Sequence, residues 1–371
     1  MQANKRDIED LVTLRAVALE AGALAERYFA RSDVKTWDKS KNHPVTEADI
    51  AVNDLIRERL MAARPNYGWL SEETALDNET RAAERVWVVD PIDGTRAFMR
   101  GEPYWCIGMG VLESGKPRAG IVHAPILKET YEARIGAGAF LNGEEIHVSD
   151  CRLEEGCRII TNEGMLTHPA WVVPWPKMEL AKPKPNATLL RMCWVASGRW
   201  DAALTLWRKS DWDLVPAALI VLEAGGLATT HLGEVYTFNR GEPAQRSMLA
   251  AGKALHSLLS ARVEGVRLPD PNWTVRPYER TQATERQDMG DTTGTKQLLH
   301  IVIGGELKKV TEVEFEDLKA IDFVGAFASY KDAYDAWKGA AHRTVDNAEM
   351  RYFILHAHKL LDPETGDHHH V

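Results

Sequence analysis

The chain has 371 residues, 44% of them hydrophobic, enough to bury more than one packed core. Its formal net charge of −9 argues against a nucleic-acid surface, which needs clustered Lys and Arg, yet leaves room for a small phosphorylated ligand held through metal ions. No stretch approaches the ~18 uninterrupted apolar residues of a membrane span, and the first nine residues lack a signal-peptide core. Cys106, Cys151, Cys157 and Cys193 have neither metal-ligand spacing nor the density of a disulfide scaffold, so a reducing, cytoplasmic setting is expected.

Ile8, Leu11, Val12, Val17, Leu24 and Tyr28 fall near helical spacing and predict an amphipathic helix over residues 5–30. Residues 31–44 are polar and read as a loop. Thr46-Glu47-Ala48-Asp49 has the form of a capping box and starts a second helix that runs through Leu60 and stops at Pro65. Tyr67–Ser71 reads as a short strand ending in Glu72 and Glu73. Side chains alternate along a strand, so only one of these two acids can face a given site. Trp105–Leu112 and Arg118–Ala124 flank a Glu-Ser-Gly-Lys turn and predict a hairpin. A second pair of strands is expected at Thr130–Arg134 and after Asn142-Gly143.

Residues 163–187, with five prolines, read as loop. A helix is expected from Thr188 through Val195, then a strand over Trp200–Trp207. Another helix runs through Leu219, Ile220 and Leu222 and is stopped by Gly225-Gly226. Asp213 just ahead of it fits an N-cap as well as a functional role. Strand Ser247–Ala251 and helix Ala254–Val263 close this part. The expected organisation is an N-terminal α+β half (1–160), a C-terminal α/β half (161–266), a polar linker (267–296) and a small α+β module (297–371). The module's strands are expected at Leu298–Ile303, Ile321–Phe327 and Arg351–His356. Its helix is expected over Ser329–His342, with Ser329 and Asp332 as a capping box. Its histidines, His300, His342, His356 and His358, are scattered and read as satisfied or exposed. The terminal His368–His370 run reads as a tail artefact.

The stretch Val86–Thr95 organises the rest. Its apolar, β-branched start reads as a buried strand, and Asp90-Pro91-Ile92-Asp93-Gly94-Thr95 stops it. Asp-Pro and Asp-Gly are common turn formers. Two carboxylates at a strand end can also converge on a hard cation, with the Ile92 carbonyl between them. Gly94 and Thr95 could offer free N–H groups to a phosphate where the next helix starts. Glu72, Asp90, Asp93 and Asp213 all sit at element ends, where side chains from different elements can meet. Clustered without cations, they would repel one another and shift their pKa values upward.

An acidic pair, then D-P-I-D-G-T, then W-D and a helix ending E-A-G-G resembles the lithium-sensitive phosphatases of the inositol monophosphatase superfamily. Pro44–Asp49 and Gly138–Gly143 add to the likeness, which runs over residues ~5–265. The resemblance implies a layered αβαβα sandwich and Mg²⁺-dependent phosphomonoester hydrolysis with two or three ions. Glu72, Asp90, the Ile92 carbonyl, Asp93 and Asp213 would be the ligands. Asp49 and Thr95, with Glu72, would support the attacking water, and Gly94 and Thr95 would hold the phosphate. Members are often homodimers. Leu206 stands where polyol-specific members carry an acid, and Arg208 and Lys209 beside it suit a second phosphate or are solvated turn residues. The chain therefore looks most like 3′(2′),5′-bisphosphate nucleotidases. Inositol-1-phosphatase and histidinol phosphatase are the alternatives, and a non-catalytic metal- and phosphate-binding protein is the alternative of another class. No nucleic-acid polymer or membrane partner is expected, and the small module looks like a bacterial domain of unknown function.

Overall fold

The computed structural model describes residues 5–31, 33–40, 43–74, 81–167, 173–263 and 266, with parts of 300–356. The chain divides into two compact units, residues 1–280 and 281–371. In chain order the first unit begins with α1 (Lys5–Phe29), β1 (Thr36–Ser40), β2 (His43–Thr46) and α2 (Glu47–Ala63). Next come β3 (Gly68–Ser71), β4 (Arg85–Asp93) and α3 (Thr95–Met99), then β5 (Cys106–Glu113), β6 (Lys116–Ala124), β7 (Glu129–Arg134), β8 (Ala139–Leu141) and β9 (Glu144–Ile146). It continues through β10 (Arg158–Ile160), α4 (Glu163–Leu166), β11 (Glu179–Leu180), α5 (Thr188–Ala196), β12 (Ala202–Thr205) and β13 (Lys209–Ser210). The last elements are α6 (Val215–Glu223), β14 (Gly226–Thr229), β15 (Ala244–Gln245), β16 (Met248–Gly252) and α7 (Lys253–Val263).

Strands β3 to β9 form one seven-stranded sheet in sequence order, parallel only at β3–β4. A second, five-stranded sheet has the order β11-β10-β12-β16-β14. Alternation along the strands builds the layers. On β4, Trp87 and Val89 face a core shared with α1 and α2, while Val86 and Val88 face α5 and α6 on the other side. That second core is closed by Ile160, Ala203, Met248 and Ala250 of the second sheet. The opposite face of the second sheet, Ile159, Ala202, Leu204, Leu249 and Ala251, packs on Leu255, Leu259 and Val263 of α7. Helix, sheet, helix, sheet and helix thus stack as five layers, an α+β sandwich.

Glycine sets how closely the central helices approach. A Cβ on Gly108 would lie 2.1 Å from Leu189 Cδ1, and one on Gly120 would lie 2.8 Å from Pro216 Cα. These two positions seat the starts of α5 and α6, both site-bearing ends, directly on the first sheet.

Several expectations are corrected. Residues 31–44 are not simply loop: β1 and β2 pair there as an antiparallel hairpin, Trp37 opposite Val45. The polar composition concealed it because a two-stranded hairpin needs no buried face of its own. The strand expected at Trp200–Trp207 is confined to Ala202–Thr205, since only those residues find partners on β16. The 163–187 stretch contains the short α4 and β11. Asp213 does not cap α6: Leu214 is the N-cap residue and no side chain bonds there.

In the second unit β18 (Asp322–Phe327), β17 (His300–Glu306) and β19 (Met350–His356) form a three-stranded antiparallel sheet with β17 central. Val302 is buried, the Trp337 indole donates to the Tyr352 carbonyl at 2.8 Å, and the Tyr352 hydroxyl donates to Asp322 at 2.8 Å. His300 is buried. The linker at 267–296, the Ser329 and His342 ends of the expected helix, His358 and the His368–His370 tail lie outside the described residues. No described helix is long and apolar enough to cross a membrane.

Candidate metal centre and active site

The two aspartates of the D-P-I-D stretch are three residues apart, which in a regular strand would send them to opposite faces. Asp90 pairs with Gly108 and Asp93 with Cys106, so three steps on β4 oppose two on β5. One extra residue makes a β-bulge, and the bulge turns both carboxylates to one side. Pro91 sits inside it, where a strand tolerates a residue without an N–H. The next residue, Gly94, has φ +96°, and a Cβ there would stand 3.0 Å from the Tyr104 carbonyl oxygen, so the turn into α3 requires glycine.

Asp213, delivered from the second half of the unit by the turn between β13 and α6, completes a triad. One carboxylate oxygen from each of Asp90, Asp93 and Asp213 lies within 4.8 Å of the others. Each is held differently. Asp213 accepts from the Ser210 N–H at 2.9 Å. Asp93 accepts from the Leu189 N–H at 2.6 Å, at the start of α5. Asp90 is 1% exposed, and among the described residues neither of its oxygens has a hydrogen-bond donor. An ionised carboxylate buried without donors is costly unless a cation or a proton neutralises it. This orphaned group, facing two more carboxylates, fits an oxygen-seeking divalent cation.

The electrostatics agree. Burial, then the charges of Glu72, Asp93, Asp213 and Asp49, push the Asp90 carboxyl well above the ordinary carboxylate range. Burial and the neighbouring Asp213 push Asp93 up to about 7, offset in part by Lys209 and by the helix-start N–H groups. Glu72 sits in the turn after β3 and is the largest charge acting on Asp90. It is not one of the three tightly grouped acids.

Asp49 serves two structures at once. Its Oδ2 accepts from the Thr46 N–H at 2.8 Å and the Thr46 hydroxyl at 2.6 Å, completing the expected capping box of α2. Its Oδ1 lies 3.4 Å from the Thr95 hydroxyl, which is also 3.2 Å from the Ile92 carbonyl. Thr95 is therefore suspended between Asp49 and the bulge. Arg208, one of the two cationic residues singled out by sequence, forms an ion pair with Glu242, whereas Lys209 acts on Asp93.

Sequence reasoning missed two further cations. Arg191, on α5, donates to the Pro185 and Asn186 carbonyls at 2.6 and 2.9 Å and lies in the field of Asp93 and Asp213. Lys184 is lowered by burial and by the nearby Arg191 and Lys209. Positions 184, 191 and 209 share no motif, and only the fold gathers them.

Residues 7–267 match the sequence profile described as the inositol monophosphatase family. The chain belongs to that family. Residues 298–357 match the profile described as a domain of unknown function, DUF4170. Among the relatives, a histidinol-phosphatase of Chlorobaculum parvum is 33% identical over 232 residues, covering 60% of this chain and 86% of its own. Among solved structures, the extragenic suppressor protein suhB of Bartonella henselae superposes with a TM-score of 0.59 at 25% identity, over 70% of this chain and all of that one. A staphylococcal IMPase-II solved with 2′AMP bound gives a TM-score of 0.59 at 25% identity, over 69% of this chain and 94% of that one. Inositol monophosphatase family members are metal-dependent phosphatases of small phosphorylated substrates, and the chain is such an enzyme.

Proposed function

We propose that the chain is a Mg²⁺-dependent phosphomonoesterase whose substrate bears a second anionic group, with a 3′(2′),5′-bisphosphate nucleotide as the best match. Asp90, Asp93, Asp213, Glu72 and the Ile92 carbonyl would hold two or three ions. When bound, the metal supplies a polarised water and neutralises charge on the phosphoryl oxygens. Thr95 and Asp49 would orient the attacking water and the Asp49 carboxylate would take up its proton, the Thr95 hydroxyl being suspended between Asp49 and Ile92. The Gly94 and Thr95 N–H groups at the start of α3 would hold the scissile phosphate.

The observation that carries the substrate reading is the group of three cations, Lys184, Arg191 and Lys209, on the Asp93–Asp213 side of the cage. One phosphate already has the metals and the start of α3, so these cations serve a second anion. Leu206, the position that would carry a polyol-binding acid, instead packs against the cluster of Ile159 and Leu204. The staphylococcal homologue with 2′AMP bound supports a nucleotide in this fold. The histidinol-phosphatase relative favours a second reading, a singly phosphorylated amino alcohol.

Hydrolysis of adenosine 3′,5′-bisphosphate, inositol 1-phosphate and histidinol phosphate with Mg²⁺ separates these. The bisphosphate is expected to show the highest kcat/KM, and Arg191→Met is expected to lower it ~10-fold or more for that substrate alone. Preference for histidinol phosphate, indifferent to Arg191, would establish the second reading. No turnover of any phosphomonoester would refute both.

A further inference from the structure

We propose that Arg81 and Asn239 are positioning residues for the metal cage, a reciprocally hydrogen-bonded pair that fastens the segment between Glu72 and the Asp90–Asp93 strand to the turn carrying Asp213. The inference rests on the reading of those acids as metal ligands. The cage is assembled from two separate stretches of chain, β3 to β4 and β13 to α6, and triad oxygens within 4.8 Å of one another repel strongly. Something other than the triad must hold these stretches in register.

Arg81 lies between β3 and β4 in the chain, nine residues after Glu72 and nine before Asp90. It is 6% exposed, an unusual place for a guanidinium. Its Nε donates to Asn239 Oδ1 at 2.9 Å, and Asn239 Nδ2 donates back to the Arg81 carbonyl at 2.9 Å. The guanidinium also donates to the Arg240 and Gly241 carbonyls. Asn239 adopts φ +57°, a left-handed conformation that Asn accepts more readily than most residues.

From Asn239 the connection continues to the site. The Asn239 N–H donates to Asp211 Oδ2 at 2.6 Å, and Gln245 Nε2 donates to Asp211 Oδ1 at 2.9 Å. Asp211 is fully buried. Its carbonyl accepts from Leu214 and Val215 at 3.1 and 2.9 Å, closing the turn on which Asp213 stands. A single residue, Trp212, separates this anchored aspartate from the Asp213 ligand. Every step from Arg81 to Asp213 is thus a hydrogen bond or a short covalent path. A shift of the Asn239 turn moves one ligand of the cage relative to the others.

The test is direct binding of Mn²⁺ alone to the full chain, measured by the electron paramagnetic resonance of free Mn²⁺, alongside thermal unfolding in EDTA. Asn239→Gly keeps the left-handed backbone and the N–H to Asp211 but deletes the link to Arg81. Mn²⁺ affinity is expected to fall about tenfold, the order for losing one or two charge-assisted hydrogen bonds. Arg81→Gln should weaken it similarly, and the double variant should lose no more than the worse single one. Asn239→Asp retains an acceptor for Arg81 Nε and should recover affinity to within about threefold of the parent. A lowered Tm with Mn²⁺ affinity unchanged in both single variants would show a purely structural pair and overturn the inference. Failure of the parent chain itself to bind Mn²⁺ would overturn the metal-site reading on which it stands.

Discussion

The metal-free cage stores a measurable instability. Asp93 is 6% exposed, and its carboxyl is pushed up to about 7 by burial and by Asp213. Between its ordinary value of 3.8 and about 7 the folded chain holds a proton that the unfolded chain has released. Stability therefore falls as pH rises through that window. The full effect, at ~1.4 kcal/mol per tenfold, is about 4 kcal/mol above pH 7. His123, His231 and His256 act in the opposite sense: burial lowers all three, so they contribute stability that is lost as pH falls through about 6.5. The quantity to read is thus the difference between Asp93→Asn and the parent chain, in which the histidines cancel. In EDTA at pH 7.5 the variant should unfold on the order of 10 °C higher. At pH 5, where the parent Asp93 is protonated, the gap should shrink to less than half. Adding Mg²⁺ should close more than half of the gap, because only the parent keeps a complete cage, and ligand at 100 times its Kd stabilises by ~2.7 kcal/mol. A variant no more stable than the parent at pH 7.5 in EDTA, or a gap indifferent to pH, would refute the electrostatic account.

Asp90→Asn should lower kcat/KM by ~10²-fold or more while raising metal-free stability, because it removes a buried charge that has no donors; steady-state kinetics and a melt in EDTA read both. Thr95→Ala should reduce kcat ~10²-fold with KM within about threefold if, as proposed, the hydroxyl beside the Ile92 carbonyl orients the water and not the substrate. Glu223→Ala should cost about 2 kcal/mol in urea unfolding: its carboxylate accepts the Gly136, Ala137 and Gly138 N–H groups at 2.9, 3.0 and 3.0 Å. Arg85→Met should cost about 3 kcal/mol or more in the same assay, leaving Asp7 and Asp10 buried with fewer partners.

The helix-on-sheet layering was legible because the central strands of the first sheet alternate between two apolar cores, and β4 announces this in Val86-Trp87-Val88-Val89. The acids Asp90, Asp93 and Asp213 were legible as residues at element ends. The bulge that makes Asp90 and Asp93 converge was not, since a one-residue offset against β5 depends on Gly108 and Cys106, far along the chain. Asp213 looked like a cap because acids before helices usually are, but here its oxygen turns back to Ser210. In E-A-G-G the glycines were legible as a helix stop, whereas its glutamate, Glu223, and the Gly138–Gly143 stretch had no evident task. Glu223 bonding the turn at Gly136–Gly138 ties the two together and shows a packing role. Arg191 and Lys184 carried no signal because their meeting with Lys209 is a tertiary event.

The position of α5 has a consequence for how substrate choice can change in this enzyme. The helix carries Arg191, and its loop carries Lys184, so it bears most of the cationic group assigned to the second anion. The same helix donates the Leu189 N–H to Asp93 and rests its Leu189 side chain against Gly108, opposite Asp90 in the sheet. Under the proposed function, selectivity and metal geometry therefore share one element. A substitution at Arg191 that leaves the helix in place can alter selectivity at constant metal affinity. An insertion or deletion in 183–187 that re-aims the helix start must also displace the donor on Asp93. The energetic asymmetry is large, because a hydrogen bond to a buried carboxylate is worth more than the ~0.5–1.5 kcal/mol of a neutral one. On the proposed reading, substrate preference is thus open to change one side chain at a time, while the backbone of 183–189 is fixed by the Asp93 carboxylate it supports.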